Sequence, residues 1–448
     1  MNSTSGCAPR RMRPMSDTSP YPPRRARLLQ KMQRGIAIIP TAPEAVRNGD
    51  AHYDYRHDSH FHYLSGFAEP EAVLVLIAGE TMQSVLFCRE KNPEREIWDG
   101  FRFGPAAAAA HFGFDAAYPI DQLDDKLAEL MGNQPTLFYP LGTDANWDAR
   151  LLKSREAVKA KSRSGIQAPA VLRDIRALID EMRLIKDAHE INLMRRAAQI
   201  SCGAHRRAMH FARPGQYEYE VEAELLHEFC RAGSRQPAYT SIVAGGANAC
   251  TLHYVGNNAR LNDGDLLLID AGCEFASYAS DITRTFPVNG KFSAAQKDVY
   301  EIVLAAQTAA IAAAKPDMTW NTPHEAALRV LAQGLIDLKL CQGSVEAVLE
   351  SESYKQFYMH RTGHWLGMDV HDVGEYKIGD AWRPLQPGMT LTVEPGCYIR
   401  PADNVPRALW NIGIRIEDDV LITAKGCEVL TQDAPKTVQE IEEVMRHE

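Results

Sequence analysis

The chain has 448 residues, of which 45% are hydrophobic and 24% charged, so it can bury a substantial core and wholesale disorder is excluded. Forty-nine basic residues stand against 58 acidic ones, a formal net charge of -9, and we therefore expect no general binding to nucleic acid or to an anionic membrane. No apolar run reaches the ~20 residues that a membrane-spanning helix needs. At about 150 residues per domain, two or three domains are expected.

Residues 1–20 are rich in Arg, Ser, Thr and Pro, which predicts a flexible tail. A targeting peptide is the alternative, because that class is also rich in Arg and Ser. The nine cysteines are scattered, odd in number and without a Cys-x-x-Cys pair. A disulfide framework is therefore not expected in a chain of this length, and we expect the protein to work in the cytoplasm.

Helices and strands alternate in the first third of the chain, which predicts an α/β domain over residues 21–170. A helix is expected at residues 24–33, and another is expected to begin at Pro105, because proline is tolerated in a first helical turn. Within the histidine-rich segment 50–67, His60 and His62 share one face of an apparent strand. Packing accounts for this pair as well as a second metal site does. Apolar strands are predicted at residues 35–39, 72–77 and 84–88.

Residues 171–448 are predicted to form a second, α+β domain. Apolar residues at near-helical spacing predict a long helix over 171–209 and another over 218–232. A further helical block is expected over 294–340. Strand-like runs dominate the remainder, at residues 241–243, 265–270, 278–288, 389–394 and 413–423.

Five segments of this second domain each carry one metal-binding type of side chain at the end or edge of a predicted strand. Taken singly, each has an ordinary explanation, such as a solvated strand end, a buried histidine or an ion pair between neighbouring side chains. Together they suggest a shared site. The five residues are Asp270, Asp281, His364, Glu394 and Glu417.

Four carboxylates on one sheet face would repel each other, and burying them without partners would be prohibitively costly. Two divalent cations per subunit would remove both problems. A set of four carboxylates and one imidazole favours manganese or magnesium over metals that prefer thiolates. We expect manganese first, with cobalt, zinc or iron as alternatives.

The segments around these residues resemble one family of enzymes. The order Asp, Asp, His, Glu, Glu is similar to the dinuclear pita-bread metallopeptidases, which include methionine aminopeptidase, prolidase and aminopeptidase P. Four motifs and a fifth in the first domain resemble the aminopeptidase P branch in particular. They are Asp-Ala-Gly-Cys-Glu at 270–274, the segment 278–292, His-Trp-Leu-Gly-Met-Asp-Val-His-Asp-Val-Gly at 364–374, Thr-Val-Glu-Pro-Gly at 392–396 and the segment 55–71.

The resemblance implies an α/β N-terminal domain followed by a pita-bread catalytic domain of the creatinase/aminopeptidase fold. It implies that Asp270 binds one metal, that His364 and Glu394 bind the other, and that Asp281 and Glu417 bridge both. A hydroxide between the metals would be the nucleophile, because two cations lower the pKa of water and polarise the scissile carbonyl.

The resemblance also implies roles for residues around the metals. His253, His360 and His371 would position the substrate, stabilise the oxyanion and carry protons. Tyr398 and Arg415 match positions near the metals, and Arg415 is expected to orient a bridging carboxylate. In the first domain, Trp98 matches a residue that closes the proline pocket, and Arg163 one that reaches a neighbouring subunit's site.

The resulting functional hypothesis is a metallo-aminopeptidase that removes the first residue from peptides with proline in second position. A prolidase, cleaving only Xaa-Pro dipeptides, is the close alternative, and a non-catalytic binding protein on the same fold is a remote one. Relatives form dimers or tetramers, so we expect a homodimer or homotetramer. Arg361 departs from the family pattern, since relatives often have glycine there.

Overall fold

The computed structural model describes residues 19–446. The chain forms two compact units, with the boundary in the sequence between Asp180 and Glu181. The predicted tail, residues 1–20, lies almost wholly outside the described residues. None of the helices in the described range combines the length and apolar character needed to cross a membrane.

The first unit is built from alternating helices and strands, as predicted. Its helices are α1 (Tyr21–Met32), α2 (Ser59–Ser65), α3 (Pro93–Asp99), α4 (Pro105–Phe112), α5 (Leu123–Met131) and α6 (Ala145–Lys159), and α7 (Arg176–Leu184) contains the boundary. Its strands are β1 (Gly35–Pro40), β2 (Val46–Asn48), β3 (Ala51–His52), β4 (Val73–Ala78), β5 (Gln83–Cys88), β6 (Ala116–Pro119), β7 (Thr136–Tyr139) and β8 (Val171–Asp174).

A mixed six-stranded sheet in the order β6-β5-β4-β1-β7-β8 organises this unit. Strand β1 pairs antiparallel with β4 and parallel with β7. Ile36 and Ile38 point to one face of β1, where they pack with Leu127 of α5 and Leu151 of α6. Burial of this apolar face between sheet and helices drives folding of the unit.

Two sequence predictions for the first unit are wrong in detail. His60 and His62 lie on helix α2, not on a strand, because Asp58 caps the helix by accepting from the backbone N–H of Phe61 and Gly66 ends it in a left-handed conformation. The boundary predicted at residue 170 falls before β8, which pairs parallel with β7 and so completes the first sheet.

The second unit contains six further helices and thirteen further strands in the described range. The helices are α8 (Ala188–Phe211), α9 (Glu218–Arg231), α10 (Ala294–Ala313), α11 (Thr322–Asp337), α12 (Val345–Glu350) and α13 (Val438–Val444). The strands are β9 (Gln236–Pro237), β10 (Ile242–Gly245), β11 (Leu266–Asp270), β12 (Cys273–Phe275), β13 (Tyr278–Ala279), β14 (Thr283–Pro287), β15 (Lys377–Ile378), β16 (Ala381–Trp382), β17 (Thr390–Val393), β18 (Gly396–Ile399), β19 (Ile412–Arg415), β20 (Asp418–Thr423) and β21 (Gly426–Val429).

Three small antiparallel sheets organise the part of this unit that contains the predicted ligands. They are ordered β10-β11-β14, β17-β20-β21 and β18-β19. Their buried faces share one large hydrophobic core with helices α8 to α11, which includes Leu267, Ile269, Leu391 and Ile414. One face of these sheets is therefore packed against the core, and polar residues at the strand ends line one cavity.

The helix predicted over 171–209 is interrupted twice. Residues 171–174 form β8, and α7 ends at Leu184 before α8 begins at Ala188. The restart is encoded locally by a capping box, in which Asp187 accepts from the backbone N–H of Glu190 and Glu190 accepts from that of Asp187.

A buried ion pair joins three parts of the second unit behind the strand ends. Arg284 of β14 and Asp418 of β20 are both fully buried, and one guanidinium nitrogen lies 2.7 Å from the carboxylate. Arg284 also donates to the backbone carbonyls of Glu417 and Pro435. Burial raises the pKa of Asp418, but Arg284 and Lys436 outweigh it and hold that pKa at about 2.

Removing Arg284 should therefore be strongly destabilising. In Arg284→Met, Asp418 stays buried without its main counter-charge, and we expect a loss of about 3–5 kcal/mol in the free energy of unfolding. Urea unfolding followed by circular dichroism measures this. The control is Arg329→Met, which breaks an exposed pair with Glu346 and should cost at most about 1 kcal/mol. Equal stability of the two variants would contradict the prediction.

Candidate metal centre

Asp270 and Asp281 are brought together by neighbouring strands. Asp270 is the last residue of β11 and pairs with Thr283, the first residue of β14, while Asp281 lies just before that strand. The chain between them forms β12 and β13 in a separate sheet, rather than a simple hairpin. Gly272 permits the return, because a Cβ there would lie 1.7 Å from the carbonyl oxygen of Ser280.

Glu394 and Glu417 each lie in a short connection between two strands: Glu394 between β17 and β18, and Glu417 between β19 and β20. Val393 of β17 pairs with Asp418 of β20, and Gly396 of β18 pairs with Arg415 of β19. Between these two pairs, both segments cross from one sheet to the other. The two glutamates lie at this crossing, so the topology itself brings together residues that are distant in sequence.

His364 is fixed against β17 by two hydrogen bonds with Thr392: its carbonyl accepts from the backbone N–H of Thr392 at 3.0 Å, and its own backbone N–H donates to the Thr392 hydroxyl at 3.1 Å. Gly363 makes this possible, since a Cβ there would lie 2.0 Å from the carbonyl oxygen of Thr392. The Nδ1 atom of His364 donates to the carbonyl of Trp365 at 3.0 Å, because a carbonyl can only accept. Its Nε2 atom then faces Asp281 at 3.3 Å, the orientation of a metal-binding imidazole.

Tyr239 is a functional candidate that the sequence did not reveal. Its hydroxyl donates to Asp270 at 2.6 Å and is also within hydrogen-bond reach of Asp281. It thus lies between two predicted ligands and fixes their separation. Tyr239 precedes β10 in a segment without a recognisable motif, so only the fold places it here.

Arg415, which is predicted to orient a bridging carboxylate, contacts one predicted ligand directly and a predicted bridging ligand through one intermediate residue. It donates to Asp270 at 2.6 Å and reaches Glu417 only through Thr283, which accepts from Arg415 and donates to Glu417. Its other end donates to the hydroxyl of Tyr398 at 3.0 Å. Arg415 and Tyr398 therefore belong to one continuous hydrogen-bonded network that includes the predicted metal ligands.

The protein's own charges do not balance the four carboxylates. Burial raises the pKa of Glu394 to about 7 and raises those of Asp270 and Glu417 as well. For Asp281, burial acts in the same direction, but the hydrogen bond with His364 lowers the pKa. Burial lowers the pKa of His364, yet its carboxylate neighbours prevail and raise it to about 9.

This donor set fits divalent cations. Ligand atoms of Asp281, His364 and Glu417 all lie within 4.8 Å of one another. Asp281 contacts His364 directly and is linked to Asp270 through the hydroxyl of Tyr239. Asp281 therefore lies between the other predicted ligands, as a bridging ligand would. Because His364 must be neutral to bind a metal, cation binding is coupled to loss of its proton.

A cavity of about 490 Å³ opens onto the five predicted ligands. The three predicted histidines, His253, His360 and His371, all line it. The ring of His371 packs edge-on against that of His364, with their centroids 4.4 Å apart. The cavity therefore brings together every site residue predicted in the second domain except Tyr398, which contacts it through His360.

The segment that carries His371 is anchored by a buried charge cluster. The neighbouring Asp372 accepts from Arg183 and Lys186 at 2.5 and 2.9 Å, and all three side chains are about 1% exposed. Burial raises the pKa of Asp372, but the two cations more than offset it and the pKa is lowered. Asp372 thus stays charged and holds the loop against the start of the second unit.

Trp98 and Arg163 belong to the first unit. Trp98 lies on α3 and is 83% exposed, next to Ile97 at 81%. Arg163 is exposed in a short 3-10 turn. Their roles toward the proline pocket and a neighbouring subunit stay predictions.

Carboxylates and an imidazole at the base of an open cavity, with three further histidines on its wall, are typical of a metal-dependent hydrolase. Residues 192–424 match metallopeptidase family M24, and residues 21–139 match the N-terminal domain of aminopeptidase P.

Relatives and solved structures agree over nearly the whole chain. Xaa-Pro aminopeptidase of Escherichia coli is 44% identical over 94% of this chain and 96% of its own length. Mouse Xaa-Pro aminopeptidase 3 is 35% identical over 91% and 80%. The structure of Pseudomonas aeruginosa aminopeptidase PepP superposes with a TM-score of 0.94 at 51% identity, covering 95% of this chain and 97% of that one.

The chain therefore belongs to metallopeptidase family M24, with the N-terminal domain of aminopeptidase P. The predicted family and the predicted fold, an α/β domain followed by an α+β pita-bread domain, are confirmed. Membership of this family implies divalent metal ions, in agreement with the chemistry of the donor set.

Tyr239→Phe should weaken metal binding without unfolding the protein. The change removes one hydroxyl that contacts two ligands, and loss of such an outer contact typically costs about 10- to 100-fold in metal affinity. Calorimetric titration of metal-free protein with Mn²⁺ measures the effect. Tyr219→Phe, which removes a half-exposed hydroxyl on α9, is the control. Unchanged affinity in Tyr239→Phe would show that the hydroxyl does not position the ligands.

Proposed function

We propose that this protein is an aminopeptidase that hydrolyses the bond between an N-terminal residue and a following proline. The observation that carries the proposal is the convergence of the five predicted ligands and three histidines in one cavity. Identity of 44% to an Xaa-Pro aminopeptidase over 94% of the chain supports the same substrate class.

The chemistry of the substrate explains why a special site is needed. The nitrogen of an Xaa-Pro bond carries no hydrogen, and its ring fixes the backbone in a shape that clashes with clefts built for extended chains. A cavity shaped for the ring, with strong activation of the attacking water, meets both demands.

Two divalent cations, when bound, would polarise the scissile carbonyl and lower the pKa of water toward neutrality. Asp270, Asp281, His364, Glu394 and Glu417 would hold them, with Asp281 and Glu417 shared between both. We propose manganese as the physiological metal, because four of the five donors are carboxylates; cobalt, zinc or iron are the alternatives.

His360 is suited to positioning rather than to proton transfer. Its Nδ1 atom donates to the carbonyl of Arg361 at 2.7 Å, and its Nε2 atom therefore accepts from the hydroxyl of Tyr398 at 2.9 Å. Burial lowers the pKa of His360 to about 3, so it is neutral and held from both sides near neutral pH. We propose that it presents a fixed ring to the proline of the substrate.

His371 and His253 are then left to act on the reacting groups. Both are more exposed than His360 and line the cavity. We propose that His371, whose ring packs against that of His364, donates to the oxyanion and passes a proton to the leaving nitrogen of proline. For His253, which also lines the cavity, we propose a role in positioning the peptide substrate.

We propose that the protein works as a homodimer or homotetramer in the cytoplasm. Ile97 and Trp98 expose an apolar surface on α3, and such a surface is typical of a contact between copies. In the described part of the chain the eight cysteines are free thiols, in keeping with a reducing compartment. Trp98 and Arg163 would contribute to the substrate site in such an assembly.

Paired hydrolysis assays separate aminopeptidase from prolidase. Protein loaded in turn with manganese, cobalt or zinc is offered an Xaa-Pro dipeptide and the same dipeptide extended by several residues. We expect release of the first residue from the extended peptide, fastest with manganese. Cleavage confined to the dipeptide would indicate a prolidase, and no cleavage by metal-loaded protein would favour the non-catalytic alternative.

His371→Ala should lower kcat by about 100- to 1,000-fold, the usual contribution of a positioned proton donor to an oxyanion or leaving group. The metal content, measured by mass spectrometry, should stay unchanged because His371 is not a predicted ligand. His227→Ala, on the exposed face of α9, is the control. Loss of metal in His371→Ala would instead indicate that the residue supports the ligands.

A further inference from the structure

Two cations meet on one indole ring beside the metal cavity. The guanidinium carbon of Arg361 lies 4.8 Å from the ring centroid of Trp382, and the ammonium of Lys377 lies 4.6 Å from it. Both cations are exposed. Arg361 lines the cavity that holds the predicted metal ligands, and its backbone carbonyl accepts from His360, which holds its backbone beside another residue of the cavity wall.

Neither cation is neutralised within the described part of the chain. Arg361 donates to the side-chain oxygen of Asn321 at 2.8 Å, and Asn321 in turn donates to Glu325 at 2.7 Å. The carboxylate of Glu325 is thus held by Asn321. The other arginine on the cavity wall, Arg415, is paired with Asp270. In a protein of net charge -9, Arg361 is therefore a residue of the cavity wall whose positive charge is still available to a ligand.

The guanidinium is also held in place before any ligand arrives. Asn321 fixes one nitrogen and the face of Trp382 supports the planar group, a favourable contact for arginine. Because a guanidinium carries five N–H donors, the remaining ones can form a two-pronged contact with a carboxylate. A flexible, fully hydrated cation would have to lose more conformational freedom to make the same contact.

We propose that Arg361, assisted by Lys377, binds a carboxylate of the peptide substrate on the far side of the proline. The inference rests on the proposed function and specifies its substrate class: peptides that carry a negative charge at a set distance beyond the scissile bond. The carboxylate has two sources, the C-terminus of a short peptide or an Asp or Glu side chain of a longer one. Arg361 thereby selects among proline-containing peptides without taking part in bond cleavage.

The test compares peptides that differ only in charge. One ladder contains Ala-Pro-Ala peptides of increasing length, each as the free acid and as the C-terminal amide. A second ladder consists of longer amides in which one Glu or its neutral counterpart Gln is moved along the chain. The ratio of kcat/KM between charged and neutral members is measured for the wild type, R361Q, R361K, K377Q and the control Lys297→Gln, an exposed cation of α10.

We expect the wild type to prefer the charged member about three- to tenfold at the length that brings the carboxylate to Arg361, the size of a charge-assisted contact at a solvated site. R361Q should abolish the preference through KM while leaving the amides unaffected. R361K should restore part of it, K377Q should reduce it, and Lys297→Gln should not change it. Added salt should weaken the wild-type preference.

Preference in the acid ladder alone assigns the C-terminus as the source, and preference in the Glu ladder alone assigns the side chain. Equal cleavage of charged and neutral peptides by the wild type, or a preference that survives in R361Q, overturns the inference while the amide rates leave the proposed function intact. Absence of cleavage in every peptide overturns the proposed function, and the inference with it.

Discussion

Mutual repulsion among four carboxylates is the constraint around which the second unit is arranged. Asp270, Asp281, Glu394 and Glu417 come from four separate strand ends, and burial works against the charge of each. Nothing in the local sequence would hold them together. The fold must therefore bring them into one cavity. Their mutual repulsion there favours the binding of divalent cations, and these would supply the chemistry of the site.

Two features of the surrounding structure hold the carboxylates together: the path of the chain between the sheets, and buried ion pairs and hydrogen bonds. Two segments cross between sheets at the same level, which fixes Glu394 against Glu417. Behind them the Arg284–Asp418 pair links β14 to β20 with both partners fully buried. On the cavity side, Tyr239 and Arg415 donate to the carboxylates themselves. The centre is thus stabilised from both faces, and its remaining side opens into the cavity.

Much of this centre was accessible from the sequence, because most of the predicted ligands lie at or beside the end of a strand and the motifs around them are distinctive. What the sequence could not reveal depends on contacts between distant segments. Tyr239 lies in no recognisable motif. Its hydroxyl reaches Asp270 because the segment before β10 lies beside the end of β11. The direct contact of Arg415 with Asp270 was not evident from the sequence, because strand pairing, not sequence spacing, decides that its guanidinium meets this carboxylate. In the first unit, the capping residues Asp58 and Gly66 override the alternation that suggested a strand for His60 and His62.

The anchoring of Asp372 by Arg183 and Lys186 sets a lower limit on how far the catalytic half could be shortened. Residues that match the M24 family begin at 192, yet both cations precede that position. A fragment cut to the matched region would retain a fully buried carboxylate stripped of its counter-charges, next to His371. The smallest autonomous catalytic body is therefore larger than the region of recognisable similarity, and it must include α7 from Glu181 onward.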